Sequence, residues 1–169
     1  MSLLEMISGN RVHYAMNTIG GVRRDIPADM IPKIEKSLDF LEERAKYYAN
    51  AVQTEQTVLK RTVDVGVLAT KDAVDLCAVG PTLRASGVKN DVRADDPYAA
   101  YGDVPFDVIT HDTGDVFSRL LVRAKELLEC VKISRYALEH MPAGMIRVKL
   151  QWLCPLAKWF PGLRLQEES

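Results

Sequence analysis

The sequence predicts a mainly α-helical protein with a few short strands, built around two long amphipathic helices. Two segments, 29–52 and 113–138, repeat apolar residues at intervals of three and four, which is the period of a helix with one buried face. Glycine, proline and aspartate separate the shorter apolar segments between them. With 169 residues, 47% of them hydrophobic, the chain can form one domain that buries roughly 70% of its unfolded surface.

The N-terminal segment is predicted to combine a helix end with a turn. Leu3–Ser8 has the pattern of a last helical turn that stops at Gly9-Asn10, which suggests that the chain begins inside a larger structure. Residues 11–14 are expected to be extended. Residues 17–25, NTIGGVRRD, predict a turn because Gly20-Gly21 can adopt positive φ.

The first long helix is predicted to begin at Asp29, which is a suitable N-cap. A second helix is expected over Thr54–Arg61, and the β-branched run Val63–Leu68 predicts a short strand. The apolar stripe of the first helix consists of Ile34, Leu38, Leu41, Ala45, Tyr48 and Val52.

Two short helices are predicted next. Thr70 is expected to cap a helix over Lys71–Val79. A single-turn helix should follow from Pro81 to Ala85, because proline is favoured at the first helical position and Gly87 can end the helix. A loop is expected over 98–106.

The longest helix is predicted to open at Asp112 or Thr113 and to end at Pro142 and Gly144. No single period fits residues 145–169. We therefore treat residues 1–144 as one domain and 145–169 as a divergent tail that docks on this chain or on a partner. The stripe of the longest helix consists of Phe117, Leu120, Ala124, Leu127, Val131, Ser134 and Leu138.

The composition excludes several classes of protein. The net charge of −1 lacks the basic excess of a nucleic-acid-binding protein. Cys77, Cys130 and Cys154 are far apart and form no C-x-x-C pair, so no metal site is predicted in this chain. The N-terminus has no signal-peptide pattern and no apolar run spans a membrane, which predicts a cytosolic protein or a peripheral subunit of a membrane complex.

Two groups near the N-terminus are candidate functional residues. His13 lies beside Arg11, and histidine is the residue type that most often serves proton-linked chemistry near neutral pH, although a structural role is the alternative. Gly20-Gly21 with Arg23 and Arg24 could cradle an anion, and a tight turn with surface arginines is the alternative.

The polar stretch 79–101, VGPTLRASGVKNDVRADDPYAAY, is the third candidate. Asp95 and Asp96 could serve acid–base chemistry or a hard cation, and the alternative is capping or ion pairing with Arg84 or Arg93. Tyr98 could hydrogen-bond a ligand or pack with its hydroxyl in water.

Three blocks of the sequence carry a resemblance to a known family. The blocks are SGNRVHYAMNTIGGVRRDIP (8–27), VGPTLRASGVKNDVRADDPYAAY (79–101) and FDVITHDTGDVFSRLLVRAKELLECVKI (106–133). In order and spacing they resemble the large subunit of energy-converting, membrane-bound nickel–iron hydrogenases and the homologous large subunit of NADH:quinone oxidoreductase, complex I.

The resemblance implies a bundle of long helices, a small partner subunit with an iron–sulfur cluster, and a membrane arm that moves protons or sodium ions. In the hydrogenase branch two cysteine pairs hold nickel and iron, one near each end of the subunit, and neither pair is present here. The chain is therefore expected to correspond to a central segment with no cofactor of its own. The NiFe centre would belong to a full-length hydrogenase parent, and quinone would be the ligand in a complex I-like parent.

The resemblance also assigns positions to the candidate residues. It places His13 and Arg11 near the partner's cluster, where the histidine tunes a pH-linked potential. It places Arg23 and Arg24 at the subunit contact. The motif within the block 79–101 maps to the interior near the active-site region, and its residues are Arg84, Arg93, Asp95, Asp96 and Tyr98.

The resulting hypothesis is an oxidoreductase large subunit that passes electrons between an iron–sulfur partner and either protons and H2 or a quinone. The N-R-V-H-Y-A-M-N-T-I-G-G-V-R-R-D block favours the hydrogenase branch. The chain alone is expected to be inert and to form homo-oligomers. The alternative is a non-catalytic helical module that binds a partner protein.

Overall fold

The computed structural model describes residues 1–148. Their backbone contacts divide the chain into two units. One unit contains residues 27–142, and the other joins residues 1–26 to the segment that begins at Ala143. The prediction for the tail falls mostly on residues 149–169, outside the described part, and the predicted boundary at residue 144 stays a prediction.

Two long helices form the core of the larger unit. Helix α2 spans Ile31–Thr54 and helix α7 spans Val116–Glu139, each with 24 residues, and the two pack against each other. Arg135 on α7 donates to Asp39 and Glu42 on α2. These two helices confirm the prediction of a mainly α-helical fold. The core side chains include Ile34, Leu38, Ala45, Leu121, Val122, Ala124 and Val131.

Four short helices lie between α2 and α7 in sequence. They are α3 (Gln56–Thr62), α4 (Thr70–Asp75), α5 (Gly80–Arg84) and α6 (Val92–Asp95). Helix α5 packs on α7, and α4 packs on α5. This packing brings the polar stretch 79–101 against the second long helix.

The smaller unit contains one helix and one hairpin. Helix α1 (Ser2–Ser8) ends at Gly9, whose φ is 81°, as the sequence predicts. Strands β1 (Asn17–Thr18) and β2 (Gly21–Val22) form an antiparallel pair, which supplies the few short strands. Gly21 also forms a bridge with Arg147, and a Cβ at Gly21 would overlap the Ile146 carbonyl oxygen, so a side chain is excluded there.

The predicted strand over Val63–Leu68 is wrong. The chain turns at Asp64 and Gly66, whose φ values are 56° and 59°. The segment still pairs its backbone, because Leu68 N–H donates to Gly114 O at 2.9 Å and Val116 N–H donates to Val65 O at 3.0 Å. The β-branched residues therefore form an irregular connection that is tied to the start of α7.

Three predicted helix starts are also wrong. Asp29 is not the N-cap of α2, which begins after Met30 with no side-chain cap. Thr70 does not cap α4, because its hydroxyl donates to Ser86 O at 2.7 Å. Helix α7 opens after Asp115, whose carboxylate accepts from Ser118 N–H at 2.7 Å.

Some predicted helix ends lie beyond the observed ones. Helix α4 stops at Asp75, four residues before the predicted end at Val79. Helix α7 stops at Glu139, before Pro142. None of the helices within residues 1–148 has both the length and the hydropathy needed to cross a membrane.

Candidate functional site

Arg84 is the buried centre of the polar stretch. Its side chain ends α5 and is only 7% exposed. The guanidinium Nε donates to Glu126 Oε1 on α7 at 2.6 Å, and Nη1 donates to the carbonyl oxygen of Asn90 at 2.9 Å. The nearer oxygen of Asp91 lies 3.7 Å from Nη1. A buried arginine with two carboxylate neighbours is compensated in charge, as a buried ion must be.

The backbone around Arg84 is held by a second segment of the chain. Pro81 occupies the first turn of α5, and Gly87 follows the helix with a φ of 88°. Gly114 N–H donates to Ala85 O at 2.9 Å, and His111 N–H donates to Arg84 O at 3.0 Å. These contacts fix the direction in which the arginine leaves the helix.

Ser86 completes this anchorage. It is 1% exposed, and its hydroxyl donates to Leu68 O at 2.9 Å. Its own carbonyl accepts from the Thr70 hydroxyl. The buried hydroxyl of Ser86 therefore has a hydrogen-bond partner, as buried polar groups generally do.

Asp91 links the two arginines. It is 5% exposed and caps α6, where it accepts from Arg93 N–H at 3.0 Å. The Arg93 guanidinium donates to both carboxylate oxygens, at 3.0 and 2.7 Å. These hydrogen bonds lower the pKa of Asp91 in spite of its burial, and the same contact raises the pKa of Arg93. Both groups are therefore ionised at neutral pH.

Asp95, the last residue of α6, accepts hydrogen bonds from the two residues that precede this short helix. Its Oδ2 accepts from Asp91 N–H at 2.9 Å and from the Asn90 side-chain amide at 2.9 Å. The two aspartates thus satisfy N–H groups at the start of α6 reciprocally, in the manner of a capping box. Of the alternatives for Asp95 and Asp96, capping holds for Asp95, whereas Asp91 makes the ion pairs with the arginines. Asp96 is exposed.

Aromatic rings surround the outer arginine. The guanidinium carbon of Arg93 lies 5.1 Å from the Phe106 ring centre and 5.7 Å from that of Tyr101, within the range of a cation–π contact. Tyr98 packs edge-on against Tyr101 at 5.1 Å between ring centres. Tyr98 itself is 54% exposed.

The polar stretch lines a pocket of about 460 Å³. Within this lining, Asp91 is paired with both Arg84 and Arg93, so one wall of the pocket consists of paired charges. The lining consists of Val79, Gly80, Arg84, Asn90, Asp91, Val92, Arg93 and Tyr98.

The described residues do not fit the NiFe centre that the resemblance implies for a hydrogenase parent. Within residues 1–148, no group of three or more histidine, cysteine or acidic side chains is arranged to hold a metal ion. Cys77 and Cys130 are free, exposed and distant in sequence.

The other candidate residues lie in the smaller unit. His13, Arg11, Arg23 and Arg24 are all exposed. The side chain of Asn10 accepts from the N–H groups of residues 12 and 13, at 2.9 and 3.2 Å, and so turns the chain at His13. Arg11 pairs with Glu5 at 2.7 Å.

Arg24 packs on the end of α1. A Cβ at Gly9 would lie 2.6 Å from Arg24 Nη1, so the glycine makes room for the guanidinium. Arg23 N–H donates to Met16 O at 2.9 Å, which extends the pairing of the hairpin. The arginines thus leave an ordered turn, and their side chains remain accessible.

Sequence reasoning does not identify Asp91, Asn90 and Glu126 as partners of Arg84. A signal for Glu126 exists, because it lies one helical turn after the buried Val122 and two turns after the buried Ser118. The predicted stripe runs instead through Leu127, which is 51% exposed. The buried face of α7 is therefore rotated from the predicted one.

Comparison with known proteins identifies relatives of the chain. The family described as respiratory-chain NADH dehydrogenase, 49 Kd subunit, matches residues 1–159. One subunit of the NADH-quinone oxidoreductase of Rhizobium meliloti (strain 1021) is 41% identical over 150 residues, which are 89% of this chain and 37% of that protein. NADH-quinone oxidoreductase subunit 4 of Thermus thermophilus is 40% identical over 147 residues, or 87% and 36% of the two chains.

A solved structure has the same fold. It is that of the membrane-bound sulfane sulfur reductase, described as an archaeal respiratory membrane complex. One of its chains matches with a TM-score of 0.80 and 34% identity over 88% of this chain and 40% of that one. The present chain thus spans about two fifths of the length of these relatives. It belongs to the family of the 49 kDa subunit of respiratory-chain NADH dehydrogenase.

Proposed function

We propose that the chain forms part of the large subunit of a complex I-type respiratory oxidoreductase, in which electrons pass between an iron–sulfur partner subunit and a quinone. The family match over residues 1–159 carries this proposal. The relatives with about 40% identity are named as subunits of NADH-quinone oxidoreductases. The subunit would lie peripherally on the cytoplasmic side of the membrane, beside the membrane-arm subunits.

A second candidate is the hydrogenase branch, in which protons and H2 replace the quinone. The block N-R-V-H-Y-A-M-N-T-I-G-G-V-R-R-D favours it. The similar archaeal complex is named as a membrane-bound sulfane sulfur reductase, so a chain of similar fold occurs in a complex whose named reaction is not quinone reduction.

One purification discriminates between these candidates. The natural protein, tagged and isolated with its complex from membranes, should oxidise NADH or another donor with a quinone and contain no nickel. Stoichiometric nickel with hydrogen-dependent dye reduction would instead assign the hydrogenase branch. A tagged protein that associates with neither an iron–sulfur subunit nor membranes would favour the non-catalytic binding module. The chain alone is expected to be inactive in these assays.

His13 and Arg11 are proposed to face the iron–sulfur cluster of the partner, and Arg23 and Arg24 the surface of that subunit. Their exposure and the ordered turn at Asn10 support these positions. A histidine beside a cluster can hold a proton on its ring when the cluster gains an electron, because the added positive charge offsets the added negative charge. The potential of the cluster then depends on pH.

Replacement of His13 tests this role in the intact complex. His13→Ala should flatten the pH dependence of the midpoint potential of the nearby cluster around neutral pH, because the side chain proposed to take up the proton is removed. His140→Ala is the matched control, since this exposed histidine ends α7 and packs on Tyr136. An unchanged slope for His13→Ala, measured by redox titration with electron paramagnetic resonance, would refute the assignment.

A further inference from the structure

The pocket of about 460 Å³ that Arg84 lines has exposed apolar side chains at its outer rim, and exposed aspartates lie close to them in sequence. We call the apolar part the Val79 surface, and it comprises Leu76, Val79, Val92 and Tyr98. They are 73%, 75%, 59% and 54% exposed, and the last three line the same pocket of about 460 Å³. Exposed apolar side chains clustered around a pocket are typical of a docking site.

The exposed charged residues that neighbour the Val79 surface in sequence are mainly acidic. Asp72 and Asp75 precede Leu76 on α4, and Asp95 and Asp96 lie between Val92 and Tyr98. Asp103 follows in the next turn, and Lys71 and Lys89 are the exposed cations of residues 70–103. Five exposed aspartates against two exposed lysines give the stretch 70–103, which contains the Val79 surface, a net negative exposed charge.

The inner charges of the pocket do not need a charged ligand. Asp91 is paired with both arginines, and Arg84 is paired with Glu126 as well. The floor is therefore a neutralised ionic layer, and the free energy of docking would come from the apolar side chains above it. The exposed aspartates would then select the sign of charge on the partner.

We propose that the Val79 surface binds a segment of another polypeptide that inserts an apolar side chain into the pocket and carries lysine or arginine beside it. The proposal rests on the proposed function in that it requires a multisubunit assembly. The charge disfavours other occupants. A second copy of this chain placed symmetrically would oppose aspartates to aspartates, and an anionic lipid surface would be repelled.

Photocrosslinking in the assembled complex tests the proposal. p-Benzoylphenylalanine replaces Tyr98 in the natural full-length protein, and native membranes are irradiated before mass spectrometry. We expect one crosslinked peptide from a different polypeptide, with an apolar residue at the crosslink and a lysine or arginine nearby. A crosslink within the same chain, to a second copy, to lipid or to an acidic segment would overturn the proposal, as would no crosslink.

Charge variants supply the second arm of the test. Asp75→Lys together with Asp96→Lys should lower the crosslinking yield at least about threefold, because rim charges govern encounter. Both side chains are exposed, and a lysine near the end of α4 suits the helix dipole. Lys89→Glu is the control of opposite sign and should not lower the yield. Equal yields in wild type, the double variant and the control would overturn the proposal.

Activity measurements on the same membranes distinguish a failure of the docking proposal from a failure of the proposed function. Redox activity with quinone, hydrogen or sulfur compounds is measured before irradiation. A complex that is active but lacks the predicted crosslink refutes the docking surface alone. A basic crosslinked partner in membranes without any such activity refutes the proposed function and leaves the docking surface supported.

Discussion

At the scale of single residues, the most constrained groups are the charges that lie beneath the surface. Arg84 and Asp91 are almost fully buried, and each has ionic or hydrogen-bonded partners on more than one element. Removal of one member of such a group is costly because the others remain buried without compensation. The cluster thus joins α5, α6 and α7 through specific ionic contacts.

Asp91→Asn should destabilise the larger unit by about 2–3 kcal/mol, because Arg93 loses a charged hydrogen-bond acceptor and Arg84 loses one of its two carboxylate neighbours. The folded-state pKa of Asp91 is lowered, so its contribution is present above the unfolded-state pKa and is lost as pH falls through the folded-state value. Urea unfolding followed by circular dichroism should therefore show that the destabilisation shrinks below about pH 4. Asp96→Asn, an exposed neighbour, should have little effect at either pH. Equal stability of wild type and Asp91→Asn at neutral pH would contradict the prediction.

Gly114→Ala should be strongly destabilising. Its φ is 66°, and a Cβ there would overlap the carbonyl oxygen of Leu68, which is backbone and cannot rotate away. Gly80→Ala is a matched control with a φ of 65° and nothing within 4 Å of its Cβ. The control should cost about 1–2 kcal/mol from backbone strain alone, and Gly114→Ala at least about 1 kcal/mol more. Chemical denaturation of both variants measures the difference in the free energy of unfolding. Equal losses would show that the Leu68 backbone moves to make room for the Cβ at residue 114.

Single residues are predictable where one local rule applies, and not where partners come from distant segments. The sequence predicts Gly9 and Gly87 as helix ends, and both have positive φ. The partnership of Arg84 with Glu126 joins residues 42 apart in sequence, and no local pattern selects that carboxylate among its neighbours. The functional roles of His13 and Arg11 stay predictions.

At the scale of elements, periodicity predicts the two long helices well, and their exact ends poorly. Asp112, Thr113 and Asp115 are all good N-cap residues, so composition alone cannot choose among them. The choice is made by Gly114, which turns the chain and pairs its backbone with Leu68. The predicted strand at 63–68 fails for a related reason, because the turns at residues 64 and 66 outweigh the β-branched composition.

Asp115→Ala should lower the free energy of unfolding by about 1–2 kcal/mol, the typical cost of losing a helix cap. Burial raises the pKa of Asp115, but hydrogen bonds from Ser118 and Asp64 N–H outweigh it and lower the pKa overall. The loss should therefore be greatest at neutral pH. Asp112→Ala is the matched control, because Asp112 is exposed and only three residues away. If thermal unfolding shows equal losses for both variants, the cap is not at Asp115.

At the scale of the whole molecule, the two long helices leave an apolar groove on one side. Leu41 and Tyr48 of α2 and Leu127 of α7 line it, and they are 48%, 49% and 51% exposed. The sequence predicts all three as core residues, and their exposure corrects that prediction. Periodicity identifies an apolar face without identifying what covers it.

The isolated chain should therefore associate and bind a hydrophobic dye, since apolar patches of this kind are covered in stable proteins. Leu127→Lys should reduce both properties by placing a charge in the groove, whereas Lys125→Ala, on an exposed position of the same helix, should not. Light scattering at high concentration and dye fluorescence provide the measurements. A monomer that binds no dye would contradict this prediction.

The bridge between Gly21 and Arg147 has a consequence for synthesis of the chain. Val148 N–H donates to Gly20 O and Val22 N–H to Ile146 O, both at 2.9 Å, so the hairpin near the N-terminus is completed by a segment that is made much later. On the ribosome, residues 27–142 can pack as soon as α7 emerges, while the hairpin must wait for its third backbone segment. The turn that carries His13 and the arginines can therefore reach its final form only after residues 146–148 have been made.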